Sequence, residues 1–139
     1  MKLTTTLTVL VSFGLLSPAM AEGDLTKGEK VFKKCKACHM VGEKAKSKTG
    51  PILNDLWGRT AASEESFKQK KYSKALRKKG EEGLIWNDET ILAFIENPKK
   101  YIKGTKMAIK VKKEDDRVNL IAYLKQFSSE EAIEQANAE

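Results

Sequence analysis

Apolar residues recur at helical spacing along the chain, and no stretch alternates apolar and polar residues in the manner of a strand. A first helix shows one face at positions i, i+3, i+7 and i+10, made up of Leu25, Gly28, Phe32 and Cys35. Asp24 or Thr26 can cap its start, and we expect it to run to about Cys38.

Two further helices are predicted by clear start and stop signals. In "WNDETILAFIENP", Asn87 is the predicted cap, and Pro98 stops the helix and begins a separate helical turn. A last helix, roughly Lys113 to Phe127, carries the stripe Leu120, Tyr123, Leu124 and Phe127. A shorter helix in "FKQKKYSKALRKKG" is expected to end at Gly80.

The segments between these helices read as loops, and no internal repeat is present. Residues 22–127 are therefore expected to form one all-α domain of about four to five helices. Residues 128–139, "SSEEAIEQANAE", are expected to be an acidic, frayed tail.

Residues 1–21 have the pattern of a secretory signal peptide. Lys2 precedes a short apolar run, and the small residues Ala19 and Ala21 flank Met20 as signal peptidase requires. The run is too short to span a bilayer, and no second apolar run of that length follows, so we expect no membrane insertion. Cleavage after Ala21 would release the chain into the periplasm.

The composition is basic, with 26 Lys and Arg against 19 Asp and Glu and a formal charge of +7. The segment 1–21 carries one lysine and no acidic residue, so the remainder is also basic. Basic charge could indicate nucleic-acid binding, but secretion argues against that partner.

Cys35, Cys38 and His39 lie within five residues of one another and are the only cysteines and the only histidine of the chain. A zinc site needs four ligands, and no further Cys or His is available. A thiol-redox pair expects a βαβ setting, and a disulfide across two residues at a helix end is strained. Cys-x-x-Cys-His is instead the attachment signature of covalent haem, with the histidine as an iron ligand.

A second axial ligand cannot be another histidine. Met40 adjoins His39 and cannot reach the opposite haem face, and the other early methionines lie within residues 1–21. Met107, in the loop "KGTKMAI", is the remaining methionine. Lys106 is the main rival ligand, and an open site is the other alternative.

Several segments, in this order, resemble the class I c-type cytochromes, especially the bacterial cytochrome c2 group and its mitochondrial relatives. They cover most of Gly23 to Phe127: "GEKVFKKCKACH", "GPILNDLWGR", "YSKALRKKG", "WNDETILAFIENPKKYIKGTKM" and "LIAYLK". The resemblance implies the cytochrome c fold, in which the first and last helices cross beside one covalent haem c. It also implies that Gly28 and Phe32 pack against Leu120 and Tyr123.

The resemblance assigns roles to matching positions. Cys35 and Cys38 would be the thioether links, and His39 and Met107 the axial iron ligands. Pro51 would accept a hydrogen bond from His39 through its carbonyl. Four further residues match positions that hydrogen-bond the haem propionates: Arg59, Tyr72, Trp86 and Thr105.

Three positions depart from the family pattern. Lys103 replaces a proline, which implies a less rigid loop before Met107. Phe94 replaces a tyrosine of the mitochondrial relatives and Leu76 an asparagine, so we expect a less polar surrounding for the Met107 sulfur.

The implied function is a periplasmic one-electron carrier, not an enzyme, that shuttles between membrane complexes such as a cytochrome bc1 complex and a terminal oxidase or photosynthetic reaction centre. Lysines near the ligands would steer docking onto acidic partner surfaces: Lys33, Lys34, Lys36, Lys99, Lys100, Lys103, Lys106 and Lys110. A monomer is expected. The alternatives are a haem enzyme or gas sensor with an open distal site, peroxidase-like or cytochrome c′-like, and a non-haem module held by a Cys35–Cys38 disulfide.

Overall fold

A computed structural model describes residues 22–138, so the expected signal peptide and its cleavage site lie outside the described residues. The helices of this part are α1 (Leu25–Phe32), α2 (Lys74–Glu81), α3 (Asp88–Glu96), α4 (Pro98–Tyr101), α5 (Glu114–Lys125) and α6 (Glu130–Ala138). A 3₁₀ turn covers Gln69–Lys71. Extended pairing within residues 22–138 is limited to an isolated bridge between Thr60 and Ile85, which confirms the all-α fold class.

The central helix α3 begins where its cap predicts. The Asn87 side chain accepts a hydrogen bond from the Thr90 N–H, and the Thr90 hydroxyl accepts one from the Asn87 N–H, each at 2.9 Å. This reciprocal pair satisfies two donors that a helix start leaves without partners. Pro98 then begins α4, as its fixed φ and missing N–H favour.

Helices α1 and α5 pack directly against each other, as the resemblance implied. A Cβ on Gly28 would lie 2.7 Å from the Tyr123 Cβ, so only glycine allows this approach. The rings of Phe32 and Tyr123 lie 5.4 Å apart, and the Asp24 N–H donates to the Asn119 side chain at 2.7 Å. The crossing therefore joins residues about a hundred positions apart in sequence.

The start of the chain differs from the prediction in two respects. Helix α1 ends at Phe32 rather than near Cys38, because the N–H groups of Lys34 and Cys35 bond three residues back, to Val31 and Phe32. Such bonds tighten a helix end into a 3₁₀-like turn. Leu25, expected on the buried face, is 49% exposed, although Asp24 beside it already bonds to Asn119 of α5. Helix α2 ends one residue beyond Gly80.

The C-terminal segment folds as helix α6 instead of fraying. Ala136 is 3% exposed, and Ile133 packs against the main core. The side-chain oxygen of Asn137 accepts a hydrogen bond from the Asp88 N–H at the start of α3. These contacts supply the burial that an isolated acidic nine-residue helix lacks.

No helix among residues 22–138 combines the length and the apolar character needed to cross a bilayer.

Candidate cofactor site

One cavity of about 440 Å³ lies between the turn after α1, the loop before α2, helix α3 and the segment after α4. Apolar side chains such as Leu56, Ile95 and Leu120 form much of its wall. Every residue that the sequence singled out for the site lines it: Cys35, Cys38, His39, Pro51, Arg59, Tyr72, Trp86, Thr105 and Met107. Residues spread over seventy positions of sequence therefore share one surface.

The two cysteines are free thiols at the cavity wall, and no disulfide joins them. The turn presents them on one side because the N–H groups of Cys38 and His39 both bond to the Cys35 carbonyl, at 3.0 and 2.9 Å. Burial raises the pKa of the Cys35 thiol to about 11, although the neighbouring Lys34 charge acts in the opposite direction. The thiol is therefore protonated at neutral pH and is no free thiolate centre.

His39 is held in one tautomer. Its Nδ1 lies 2.6 Å from the Pro51 carbonyl oxygen, which can only accept, so Nδ1 carries the proton. Burial lowers the pKa of His39, and the Pro51 carbonyl opposes that shift only in part. The ring is thus neutral, and Nε2 keeps a lone pair for a metal ion.

Gly50 is a site residue that the sequence analysis missed. A Cβ at this position would stand 2.8 Å from Nδ1 and 2.9 Å from Nε2 of His39, closer than packed atoms approach. Its N–H also donates to the Cys38 carbonyl at 2.9 Å. The backbone at Gly50 therefore supports the imidazole ring from one face, and the Gly-Pro pair before a loop was the only available signal.

Met107 lines the cavity in the segment after α4, two residues beyond a turn closed by the Thr105 N–H and the Ile102 carbonyl at 3.0 Å. Gly104 has φ +95°, a left-handed conformation that glycine adopts without strain. The Lys106 ammonium group donates to the Lys71 carbonyl at 2.7 Å and ties this segment to the loop before α2. Phe94 and Leu76, the two departures from the family pattern, are both apolar parts of the wall.

The four expected propionate contacts lie at the wall in different environments. Tyr72, Trp86 and Thr105 are buried, with Tyr72 packed edge-on against Phe67 at 4.7 Å. The Arg59 guanidinium is only 13% exposed and is already engaged by Glu64 at 2.6 Å and by the Ile52 carbonyl at 3.0 Å. Arg59 is therefore a partly buried charge with a partner rather than a free surface charge, and Glu64 is a second residue that the sequence analysis missed.

The lysines expected near the site are all exposed, and Lys34 and Lys106 line the cavity itself. Lys71, not foreseen from the sequence, is a third lysine at the wall. Within the described part of the chain, ion pairs of 4 Å or less involve other lysines, namely Lys27, Lys78, Lys79 and Lys125.

The residues present fit a covalent haem. The cavity volume falls in the range of about 300–1,000 Å³ that is usual for cofactor sites, and its wall is largely apolar. Two thiols that could form the thioether links line this space, and so do a neutral imidazole and a thioether that could ligate the iron. Residues 22–138 contain no cluster of three or more His, Cys, Asp or Glu that could hold another metal ion.

Comparison with known proteins agrees with this fit. The family model for cytochrome c matches residues 25–128. A cytochrome c2 from Agrobacterium tumefaciens is 48% identical over 104 residues, covering 74% of this chain and 91% of that protein. A cytochrome c from Gibberella zeae is 49% identical over 108 residues, covering 76% and 96%.

A solved structure of cytochrome c2 from Rhodospirillum centenum is also similar. It superposes with a TM-score of 0.72 at 39% identity, and covers 77% of this chain and all of that one. This likeness confirms the single-domain cytochrome c fold that the sequence implied. The chain therefore belongs to the cytochrome c family: it is an electron carrier with covalent haem c, and not an enzyme.

Proposed function

We propose that the chain carries single electrons through one haem c, joined to Cys35 and Cys38 and ligated by His39 and Met107. The observation that supports this most is the shared cavity, where His39 and Met107 approach from opposite segments. The neutral imidazole with its Nε2 lone pair provides one ligand, and the Met107 thioether the other. The ammonium group of Lys106, the rival ligand, is instead engaged by the Lys71 carbonyl.

Bound there, the haem supplies the Fe(II)/Fe(III) couple, and the chain sets the conditions for it. The Pro51 carbonyl fixes the His39 tautomer and ring orientation. The apolar wall excludes water, and a neutral thioether favours the ferrous state, so both raise the reduction potential. With both axial positions filled, small ligands are excluded in the native state.

The proposed setting is the periplasm, and the proposed partners are membrane redox complexes with acidic docking surfaces. The exposed lysines Lys34 and Lys106 lie at the cavity, where an electron would enter or leave. Opposite charge accelerates encounter, and a small interface permits fast release. We propose a monomer, since a carrier must expose this face to each partner in turn.

The ligand assignment is tested by Met107→Leu, with Met40→Leu as the matched control. Met40 adjoins His39 but does not line the cavity. We expect the ferric native protein and Met40→Leu to be low-spin with the weak long-wavelength methionine–iron band. Met107→Leu should lose that band and become high-spin, with a haem still attached by intact mass. A low-spin Met107→Leu with the band intact would contradict the assignment.

The docking proposal is tested by salt. Electron transfer to an acidic partner complex should slow steeply as ionic strength rises, because exposed charges are screened over about 10 Å at 0.1 M. A Lys34→Gln and Lys106→Gln double variant should show a lower rate at low salt and a flatter dependence. If the electron-transfer rate of the native protein did not change with ionic strength, electrostatic steering by these lysines would be contradicted.

A further inference from the structure

Helix α6 lies beside segment 55–59, although Asp55 and Gly58 of that segment stay exposed. If the backbone of Gly58 carried a Cβ, that atom would stand 3.9 Å from the Ala132 carbonyl oxygen and 4.0 Å from the Ala136 Cβ. The Phe127 carbonyl, just before α6, accepts from the Asp55 N–H at 2.8 Å. Residues 127–136 therefore bond to this segment at Asp55 and lie beside it at Gly58.

A polar cluster joins the same segment to three helices. The Trp57 indole N–H donates to one carboxylate oxygen of Asp88, and the Lys125 ammonium group contacts the other, each at 2.7 Å. The Lys125 ammonium group also lies 5.9 Å from the centre of the Trp57 ring. Asn137 of α6 completes the cluster by accepting from the Asp88 N–H at 2.9 Å.

The inner side of the segment faces the cavity. Arg59 lines the cavity. The backbone on either side of it is paired with Trp86: the Gly58 N–H donates to the Trp86 carbonyl at 2.9 Å, and the Trp86 N–H donates to the Arg59 carbonyl at 3.0 Å. Trp86 lines the cavity as well. Any outward movement of segment 55–59 would therefore move the partly buried Arg59 charge together with its Glu64 partner and open this part of the wall to water.

We propose that α6 is a positioning element for the haem site: together with Phe127 just before it, α6 holds segment 55–59 in place through the bonds at Asp55 and Asp88 and the packing of Ala136, and so keeps the Arg59 charge close and water out. A nearby positive charge disfavours the ferric state, and water favours it, so loss of α6 lowers the reduction potential by both routes. This inference rests on the proposed function, since it assumes a redox-active haem in the cavity.

The test compares Ala136→Gln with Ala138→Gln. Both place the same side chain on α6, but residue 136 is buried against segment 55–59 and residue 138 is exposed. In the haem-loaded full chain, Ala136→Gln should speed hydrogen exchange of the Gly58 and Trp86 amides about tenfold. It should lower the equilibrium constant for reduction of the haem about threefold. For a one-electron couple this corresponds to a reduction potential lower by ~28 mV. Ala138→Gln should leave both values at the native level.

A milder variant guards against loss of folding. Asn137→Ala removes only the acceptor for the Asp88 N–H, and should shift the potential in the same direction by a smaller amount. Faster exchange without a change in potential would show that α6 is merely structural and overturn the inference, as would unchanged exchange. A native chain without a reversible one-electron couple would overturn the proposed function and this inference with it.

Discussion

The two sides of the cavity are built in different ways. The His39 side, residues 35–54, is locked by close packing and by several hydrogen bonds, including the two that Asn54 makes to Gly42 at 2.8 and 2.9 Å. The Met107 side, residues 102–111, has backbone bonds from the N–H groups of Ile102, Thr105 and Val111, and between Thr105 and Val111 one side-chain bond from the exposed Lys106. Opening should therefore begin on the Met107 side, because its local free energy of opening is lower.

The largest effect is expected for Gly50→Ala on the His39 side. The added Cβ would press on the imidazole ring, and overpacking of this kind costs up to about 3 kcal/mol. Denaturant unfolding of the haem-loaded protein measures this, and the absorption spectrum should show a displaced ligand. Gly42→Ala is the control in the same loop: its φ of +95° adds strain of roughly 1–2 kcal/mol, but nothing lies within 4 Å. If both variants lost the same free energy of unfolding and kept the native absorption spectrum, the His39 ring would not be tightly packed against Gly50.

An intermediate effect is expected for Lys106→Ala on the Met107 side. Loss of the bond to the Lys71 carbonyl should lower the opening free energy by about 1 kcal/mol. Binding of added imidazole to the ferric protein should then become about fivefold faster, with global stability little changed. Lys103→Ala removes an exposed lysine from the same loop and should stay near the native rate. Equal acceleration by both variants would mean that charge, not the bond, controls opening.

The smallest effect on the free energy of unfolding is expected from titration of the Tyr72 phenol. Tyr72 follows Lys71, whose carbonyl Lys106 contacts. Burial raises the pKa of its phenol above the usual 10.0, so the folded chain keeps a proton that the unfolded chain releases. The free energy of unfolding should therefore fall as pH rises through 10 towards the raised folded pKa, and no such loss should occur below that window. Tyr72→Phe should flatten this part of the stability curve. An identical alkaline slope in both proteins would contradict the buried phenol.

Much of the fold was predictable because its signals are local. Asn87 and Pro98 bound α3 through chemistry within a few residues, and the Leu120 stripe identifies α5 by spacing alone. The set of cavity residues followed from one short motif together with a family resemblance, and the hydrogen bond from His39 to Pro51 is present as implied. The helix crossing at Gly28 was likewise anticipated.

The parts that sequence reasoning missed depend on contacts between distant residues. Helix α6 is weakly amphipathic and acidic, and what stabilises it is burial of Ala136 and the bond from Asp88 to Asn137, 49 positions apart. Gly50 reads as an ordinary loop glycine until the His39 ring lies against it. Glu64 becomes part of the site only because Arg59 turns inward to meet it. Apart from the Gly-Pro pair at Gly50, these features leave no periodic or motif signal in the chain.

The crossing of α1 with α5 also constrains how the chain reaches this state. An isolated helix of eight residues is unstable in water, so α1 persists only once α5 arrives to cover Gly28 and Phe32. Bringing Asp24 to Asn119 closes a loop of 95 residues, with a length-dependent entropy cost of about 4 kcal/mol. Helix α1, which leads into the turn with both cysteines, therefore depends on the far end of the chain, and a truncation before Asn119 should leave it unfolded.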